Sequence, residues 1–185
     1  GVGAAAVDFQ MSTGRMPMRA PTAQAPRSDT IKFSEEDIAK IGAYVASLAP
    51  GPAIPSEEMV DPTKGDPAKG GELFRVNCAM CHNSSGAGGA LTRGKYAPSL
   101  MDVAPKDIYM AMETGPQSMP VFNDTNLDST AKRDIIAFLK SVEGGGNPGG
   151  LSLGRLGPVT EGMFAWIFGL GLLVGIAVWL GKKAA

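Results

Sequence analysis

The residues best suited to chemistry in this sequence stand together in the stretch Cys78-Ala79-Met80-Cys81-His82. The chain contains two cysteines and one histidine in total, and all three fall within this stretch. Two thiols about one helical turn apart can form thioethers with the two vinyl groups of one porphyrin, and the next imidazole can then ligate its iron. Because Cys-x-x-Cys-His is the attachment signature of c-type haem, the sequence predicts one haem c on Cys78 and Cys81, with His82 as an iron ligand.

Three other uses of these residues fit the sequence less well. A structural zinc site normally takes four Cys or His ligands, and the chain offers three. A thioredoxin-like dithiol at Cys78 and Cys81 would require a βαβ pattern, which the sequence lacks. A fold held together by several disulfides is excluded, because two cysteines can form at most one.

A six-coordinate haem needs a second axial ligand, and the methionines after the motif are the candidates. Met110 and Met112 fall on a predicted helix and could equally belong to a core, and Met101 is a further candidate. Met119 lies in the loop 114–120, whose glycine and two prolines can hold one thioether in place, so Met119 is predicted as the ligand. His/Met ligation raises the reduction potential and leaves no open iron position, which predicts outer-sphere electron transfer. A haem-based sensor or peroxidase, the alternative, would need that open position.

The elements that must position these residues are predicted to be helices, so the fold class is all-α. Ser34 is the predicted N-cap of the first one, followed by acidic residues in the first turn and apolar residues at helical spacing. The helical stretches are residues 34–49, 67–77 and 105–113, and a last helix capped by Asp128 or Ser129. The remaining segments are 1–27 without a clear period, a glycine-rich loop at 83–98, and predicted linkers at 50–65 and 144–158.

The run from Met163 to Leu180 carries no charged residue. With its flanking glycines it has roughly 20 residues, which as a helix reach about 30 Å, the thickness of the hydrocarbon core of a bilayer. Trp166 and Trp179 stand near its ends, where aromatic belts form. The sequence therefore predicts one transmembrane helix at 159–182 in the plasma membrane. The alternative is a buried helix of a soluble core.

The residues beside this helix predict its orientation. Lys182 and Lys183 come directly after the uncharged run and Gly181, and positive residues stay on the cytoplasmic side. The tail 183–185 is therefore predicted to be cytoplasmic, with everything before residue 160 extracytoplasmic. Gly171 and Gly175 would let another membrane helix approach closely, although glycine is also simply common in such helices.

The composition excludes one class of partner. The formal net charge is -1, and the chain has no basic excess that would bind nucleic acid.

The 25 glycines and 14 prolines suit small, loop-rich domains joined by linkers better than one large core. The chain begins at Gly1 without a signal peptide, so a processed or partial product is expected.

Three segments carry a family resemblance: Gly70-Gly71-Glu72-Leu73-Phe74, Ala97-Pro98-Ser99-Leu100 and Phe138-Leu139. Through them, residues 66–143 resemble class I cytochrome c, whose first helix carries a glycine where the last helix crosses it closely. The resemblance implies a cytochrome c domain at 66–143. It also implies that the Pro98 carbonyl accepts the second imidazole N–H of His82 and so fixes the ring.

Part of this pattern occurs twice. Residues 13–17 (TGRMP) echo Thr114-Gly115 with Met119-Pro120, and residues 44–48 (YVASL) echo residues 138–142 (FLKSV). Residues 1–49 thus resemble the C-terminal part of a first cytochrome c domain, with Met16 as a ligand to the iron of a first haem. The spacing from His82 to Met119, applied to Met16, puts the first histidine upstream of Gly1. A second haem is therefore expected in the full-length protein, unless Met16 and Met18 are ordinary loop residues.

Two cytochrome c domains followed by one C-terminal membrane helix form a specific order of modules. In this order the chain resembles the dihaem cytochrome c subunits of the actinobacterial cytochrome bc complex, the menaquinol–cytochrome c reductase. The resemblance implies cytochrome b and Rieske iron–sulfur subunits as partners, with electrons passing from the iron–sulfur protein toward an aa3-type terminal oxidase. Such a chain is the electron-transfer subunit of a quinol–cytochrome c oxidoreductase and performs no substrate chemistry alone. The alternative is a free-standing, membrane-anchored cytochrome c carrier.

Overall fold

The computed structural model describes residues 1–145, 153 and 158–184, and the described part is mostly helical. Most of the predicted linker 144–158 and the end of the tail at Ala185 lie outside the described residues. The helices before the apolar segment are α1 (Gly3–Ser12), α2 (Glu35–Leu48), α3 (Glu57–Val60), α4 (Pro67–Asn77), α5 (Ala79–His82), α6 (Pro105–Thr114) and α7 (Ser129–Gly144). Strands β1 (Gly89–Ala90) and β2 (Tyr96–Ala97) pair antiparallel inside the glycine-rich loop.

Local capping explains where the predicted helices begin. The Ser34 side chain accepts a hydrogen bond from the backbone N–H of Asp37, which satisfies a donor that has no partner inside the helix. The carboxylate of Asp66 does the same before Pro67, and that of Asp128 accepts from the N–H of Ala131. The structure thus confirms the predicted start of α2 and chooses Asp128 over Ser129 as the cap of α7.

The crossing of α4 and α7 forms the centre of the packing around the predicted haem motif. Gly70 lies at the crossing: a Cβ atom there would be 1.8 Å from the Asp134 carbonyl oxygen, so only glycine lets the backbones come this close. One turn further on, the rings of Phe74 and Phe138 stand 5.3 Å apart between centroids. The surrounding core buries Phe74, Tyr109, Ile135, Ile136 and Leu139.

Two segments are more ordered than the sequence analysis predicted. Helix α1 occupies part of the segment for which no period was detected, because its apolar residues surround the whole helix instead of forming one stripe. Its Ala5 and Phe9 pack against Met110 of α6. Part of the predicted linker 50–65 forms α3, whose Val60 is buried in the core beside α7.

We call residues 1–49 the first unit and residues 57–145 the second unit. Their helix–loop–helix segments share local features. The hydroxyl of Thr13 donates to the Phe9 carbonyl at the end of α1, and the hydroxyl of Thr114 donates to the Met110 carbonyl, at 2.7 Å, at the end of α6. The next residue in each unit is a glycine with positive φ, +66° at position 14 and +56° at position 115. These features support the internal repeat.

The two units also contact each other directly. The side-chain amide of Gln24 donates to the carbonyl of Tyr96 at 2.7 Å and accepts from its N–H at 2.9 Å. The amide of Gln117 makes the matching pair of hydrogen bonds with the backbone of Ala25, at 2.9 and 3.2 Å. With the contact between α1 and α6, these reciprocal bonds dock the first unit against the loops around the haem motif.

The C-terminal segment is a continuous helix of α8 (Pro158–Ala165), a π-helical turn (Trp166–Leu170) and α9 (Gly171–Ala184). Within it, Thr160–Lys183 comprises 24 residues with a mean hydropathy of 2.3. No residue in its most apolar stretch is buried. A core helix of a soluble protein would be largely buried, so the exposed surface argues against that alternative. The length and composition are sufficient to cross a membrane.

Candidate functional site

The five residues predicted for the second-unit haem line a single cavity of about 330 Å³. They are Cys78, Cys81, His82, Pro98 and Met119. Most of the other lining side chains are apolar, among them Leu91, Ala97, Pro116, Pro120 and Phe122. A concave apolar site with a few converging ligating groups suits a flat, apolar cofactor with one metal at its centre.

His82 ends α5 and is held in one orientation. Its Nδ1–H donates to the carbonyl oxygen of Pro98 at 3.0 Å, which leaves Nε2 as an unprotonated nitrogen. Burial lowers the pKa of His82, although the hydrogen bond to Pro98 opposes this shift. At neutral pH the ring is therefore a neutral imidazole, the form that ligates a metal.

The glycine-rich loop brings Pro98 to this position. After His82 the chain reverses direction, and the N–H of Gly88 donates to the His82 carbonyl at 2.9 Å. Gly88 has a φ of +86°, and a Cβ atom there would stand 2.7 Å from the carbonyl oxygen of Ala97. The close approach of the loop to β2 thus depends on glycine, and it holds the Pro98 carbonyl beside the imidazole.

The two cysteines are both free thiols that face the same cavity. Burial, together with the neighbouring Cys81, raises the pKa of Cys78 to about 12. Reactive dithiols work through a low-pKa thiolate, so Cys78 is poorly suited to redox exchange. This environment adds a second argument against the thioredoxin-like alternative.

Met119 is the one methionine of the four candidates that lines the cavity. Met110 and Met112 are buried in packed cores, and Met101 packs against the larger core without lining the cavity. Backbone hydrogen bonds hold the Met119 loop: the N–H of Met119 donates to the carbonyl oxygen of Pro116 at 3.1 Å, and the N–H of Phe122 donates to that of Met112 at 2.8 Å.

This donor set fits a c-type haem. Two free thiols stand beside a neutral imidazole, and a thioether in the same cavity can supply the second axial ligand. The set fits zinc less well, since a structural zinc site takes four ligands and no group of three or more His, Cys, Asp or Glu residues in the described part of the chain is arranged to hold a metal ion.

Met16 lies apart from this group. It lines a separate cavity of about 300 Å³ in the loop between α1 and α2 and is 45% exposed. Arg15, Arg19, Arg27 and Lys32 line the same cavity. Its role as a ligand to a first haem stays a prediction.

We call the cavity lined by Cys78, Cys81, His82, Pro98 and Met119 the haem cavity. Sequence reasoning missed that residues of the first unit also line it. Phe9, Arg15 and Gln24 all line it together with the second-unit residues. Arg15 lines both cavities and thus stands between them. No local pattern marks these residues, because their position depends on how the two units dock.

Comparison with known proteins identifies the family. The family model for cytochrome c oxidase, cbb3-type, subunit III matches residues 65–139. The cytochrome bc1 complex cytochrome c subunit of Corynebacterium efficiens is 46% identical over 200 residues, covering 100% of this chain and 67% of the relative. The chain belongs to the family of cytochrome bc1 complex cytochrome c subunits. The subunit of Mycobacterium tuberculosis is 48% identical over 189 residues, covering 100% of this chain and 67% of the relative.

Membership of the bc1 cytochrome c family confirms the resemblance predicted from the order of modules. The all-α fold, with a cytochrome c domain and one apolar C-terminal helix, is confirmed as well. The cytochrome c domain implies haem c as the cofactor, and family membership together with the apolar helix supports a membrane location.

Proposed function

We propose that this chain is the electron-transfer subunit of a respiratory menaquinol–cytochrome c reductase. In this role it passes electrons from a Rieske iron–sulfur protein toward an aa3-type terminal oxidase. Cytochrome b and the iron–sulfur protein are its partners within the complex. The observation that carries the proposal is the cavity shared by Cys78, Cys81, His82 and Met119, in a chain whose relatives are named as bc1 complex subunits.

Each of these residues has a distinct task in the proposal. Cys78 and Cys81 would hold the haem covalently, and His82 and Met119 would ligate its iron. The bound haem supplies reversible one-electron chemistry. The Pro98 carbonyl, at 3.0 Å from His82 Nδ1, holds the imidazole in one orientation, and burial favours its neutral form. The apolar walls keep water away from the site, which together with His/Met ligation favours a high reduction potential.

The first unit is proposed to be the C-terminal part of a first cytochrome c domain, with Met16 as a ligand to its haem. The matching hydrogen bonds of Thr13 and Thr114, and the glycines that follow them, support this assignment. The basic side chains around Met16 suit the carboxylates of a haem. The full-length protein would then carry two haems.

The proposed topology is a single span with both haem units on the extracytoplasmic side. The exposed apolar surface of Thr160–Lys183 supports the span. Lys182 and Lys183 at its end support a cytoplasmic C-terminus.

Purification of the full-length protein from native membranes in mild detergent tests the proposal. We expect cytochrome b and a Rieske protein to co-purify with the chain, and the pyridine haemochrome assay to give two haems c per polypeptide. A chain that elutes without these partners would instead be a free-standing membrane-anchored carrier. One haem c per polypeptide would contradict the role of Met16 and leave the second-unit site intact.

Replacing Met119 with alanine tests the axial ligand. Because the iron would lose its thioether, we expect the reduced protein to bind carbon monoxide without denaturation and the reduction potential of this haem to fall. Difference spectra with carbon monoxide and a redox titration measure both effects.

Met110→Leu is the matched control, since it changes a buried methionine that does not line the cavity. A swap of similar volume costs less than about 1.5 kcal/mol and should leave the haem unreactive toward carbon monoxide. Met119 is not the ligand if Met119→Ala behaves like this control.

A further inference from the structure

The haem cavity of the second unit has one permanently charged residue in its wall. Among the described residues that line it, Arg15 is the sole Arg, Lys, Asp or Glu. This residue belongs to the first unit and reaches the cavity across the contact between the two units. A c-type haem brings two propionate carboxylates, so a cavity with one fixed cation meets a cofactor with two anions.

The position of Arg15 is set by packing. Its guanidinium carbon lies 4.8 Å from the centroid of the Phe9 ring, which is itself buried and lines the same cavity. A guanidinium over an aromatic face gains roughly 0.5–1 kcal/mol at an exposed site and more when water is excluded. Arg15 is half-buried, so salt screens its charge less than that of a surface residue.

The charge of Arg15 is not neutralised by an ion pair within residues 1–145, because no carboxylate there lies within 4.0 Å of it. Arg27, a second cation, lines the Met16 cavity together with Arg15. A half-buried cation with a second cation nearby is stabilised when an anion binds next to it.

We propose that Arg15 is the counter-charge of the haem in the cavity of His82 and Met119. It meets the haem's propionate carboxylates from across the contact between the units and raises the haem's reduction potential. The inference rests on the proposed function, since it requires the haem. The physical reason is Coulombic: ferric haem carries one more positive charge than ferrous haem, so a nearby cation favours the ferrous form.

The experiment is a redox titration of the full-length, detergent-solubilised complex, followed by haem c absorbance. In Arg15→Gln we expect the midpoint potential of the haem that responds to Met119→Ala to fall. In Arg15→Lys, which keeps the charge, we expect a potential close to that of the unmodified protein. Arg93→Gln is the matched control, because Arg93 is exposed and lines neither of the two cavities.

The outcomes separate the inference from the proposed function. An Arg15→Gln protein with an unchanged potential overturns the inference, as does an equal fall in Arg15→Lys or in Arg93→Gln. The haemochrome assay on the unmodified protein is the independent reading. If haem c is absent there, the proposed function itself fails. If haem c is present and the potential does not respond to Arg15, the role of Arg15 alone is wrong.

Discussion

Replacing Gly70 with alanine is expected to lower the free energy of unfolding of the second unit by about 3 kcal/mol or more. The added Cβ would lie 1.8 Å from the carbonyl oxygen and 2.3 Å from the carbonyl carbon of Asp134, both backbone atoms of α7. Neither atom can turn aside as a flexible side chain could, so α4 and α7 must move apart. That movement would disturb Phe74 and Phe138 and the core around them.

Denaturant titration of the full-length protein in detergent, followed by circular dichroism, measures this effect. Gly144→Ala is the matched control on α7, because a Cβ at Gly144 meets no described atom within 4 Å. Alanine has the higher helix propensity by about 0.5–1 kcal/mol, so the control should be neutral or slightly stabilising. A Gly70→Ala protein as stable as this control would contradict the close crossing of the two helices.

Replacing Lys132 with methionine is expected to cost about 3 kcal/mol of unfolding free energy and to weaken the coordination of Met119. Lys132 is a fully buried cation whose Nζ contacts carboxylate oxygens of Glu113 and Asp124, the latter at 2.8 Å. The Glu113 side chain is 17% exposed and would remain largely buried without its partner. Removing one member of a buried pair costs more than the pair contributes, because the other charge stays uncompensated.

The functional consequence follows from where the two carboxylates stand. Glu113 is in the last turn of α6 and Asp124 follows the Met119 loop, so Lys132 joins both sides of the segment that presents the thioether. Its Nζ also lies 5.4 Å from the centroid of the buried Tyr109 ring. We therefore expect Lys132→Met to weaken the sulfur-to-iron absorption band of the ferric protein and to lower the urea midpoint.

Lys40→Met provides the comparison with an exposed pair. Lys40 Nζ lies 2.7 Å from Glu36 Oε1 on α2. Their side chains are 66% and 77% exposed, so water and salt screen the attraction. Pairs of this kind contribute about 0.3–0.5 kcal/mol. If Lys132→Met loses no more stability than Lys40→Met, and its absorption band is unchanged, the Lys132 cluster does not hold the Met119 loop.

Local signals predicted the starts of several helices. Ser34, and Asp128 or Ser129, were predicted as caps because such side chains accept from the free backbone N–H groups of the first turn, and Pro67 because proline suits the first helical position. Helix α1 was missed because its apolar residues show no one-sided period, and only burial between α2 and α6 decides its conformation. The same limit applies to α3, which is short and whose Val60 is held by distant helices.

In the candidate site, too, local signals predicted some residues and only the packing distinguished others. Cys78, Cys81 and His82 could be predicted because covalent haem attachment demands one spacing along the chain, and Met119 because its loop is stiffened by proline and glycine. The sequence left Met101, Met110 and Met112 as rivals, since a methionine suits a core as well as an iron. Met110 and Met112 are buried in packed cores, and Met101 does not line the described cavity. Met119 is therefore the one of these methionines placed to be a ligand.

By itself, the sequence determined the haem motif, the helical class, the apolar helix and the order of modules that identified the family, because spacing and composition along one segment encode each of them. The tertiary structure alone decided that Gly70, of the two adjacent glycines, meets the α7 backbone at the helix crossing, that Lys132 is buried between two carboxylates, and that Arg15 reaches the haem cavity from the other unit. These features join residues far apart in the chain. They depend on the packing of whole helices and units, which no local pattern records.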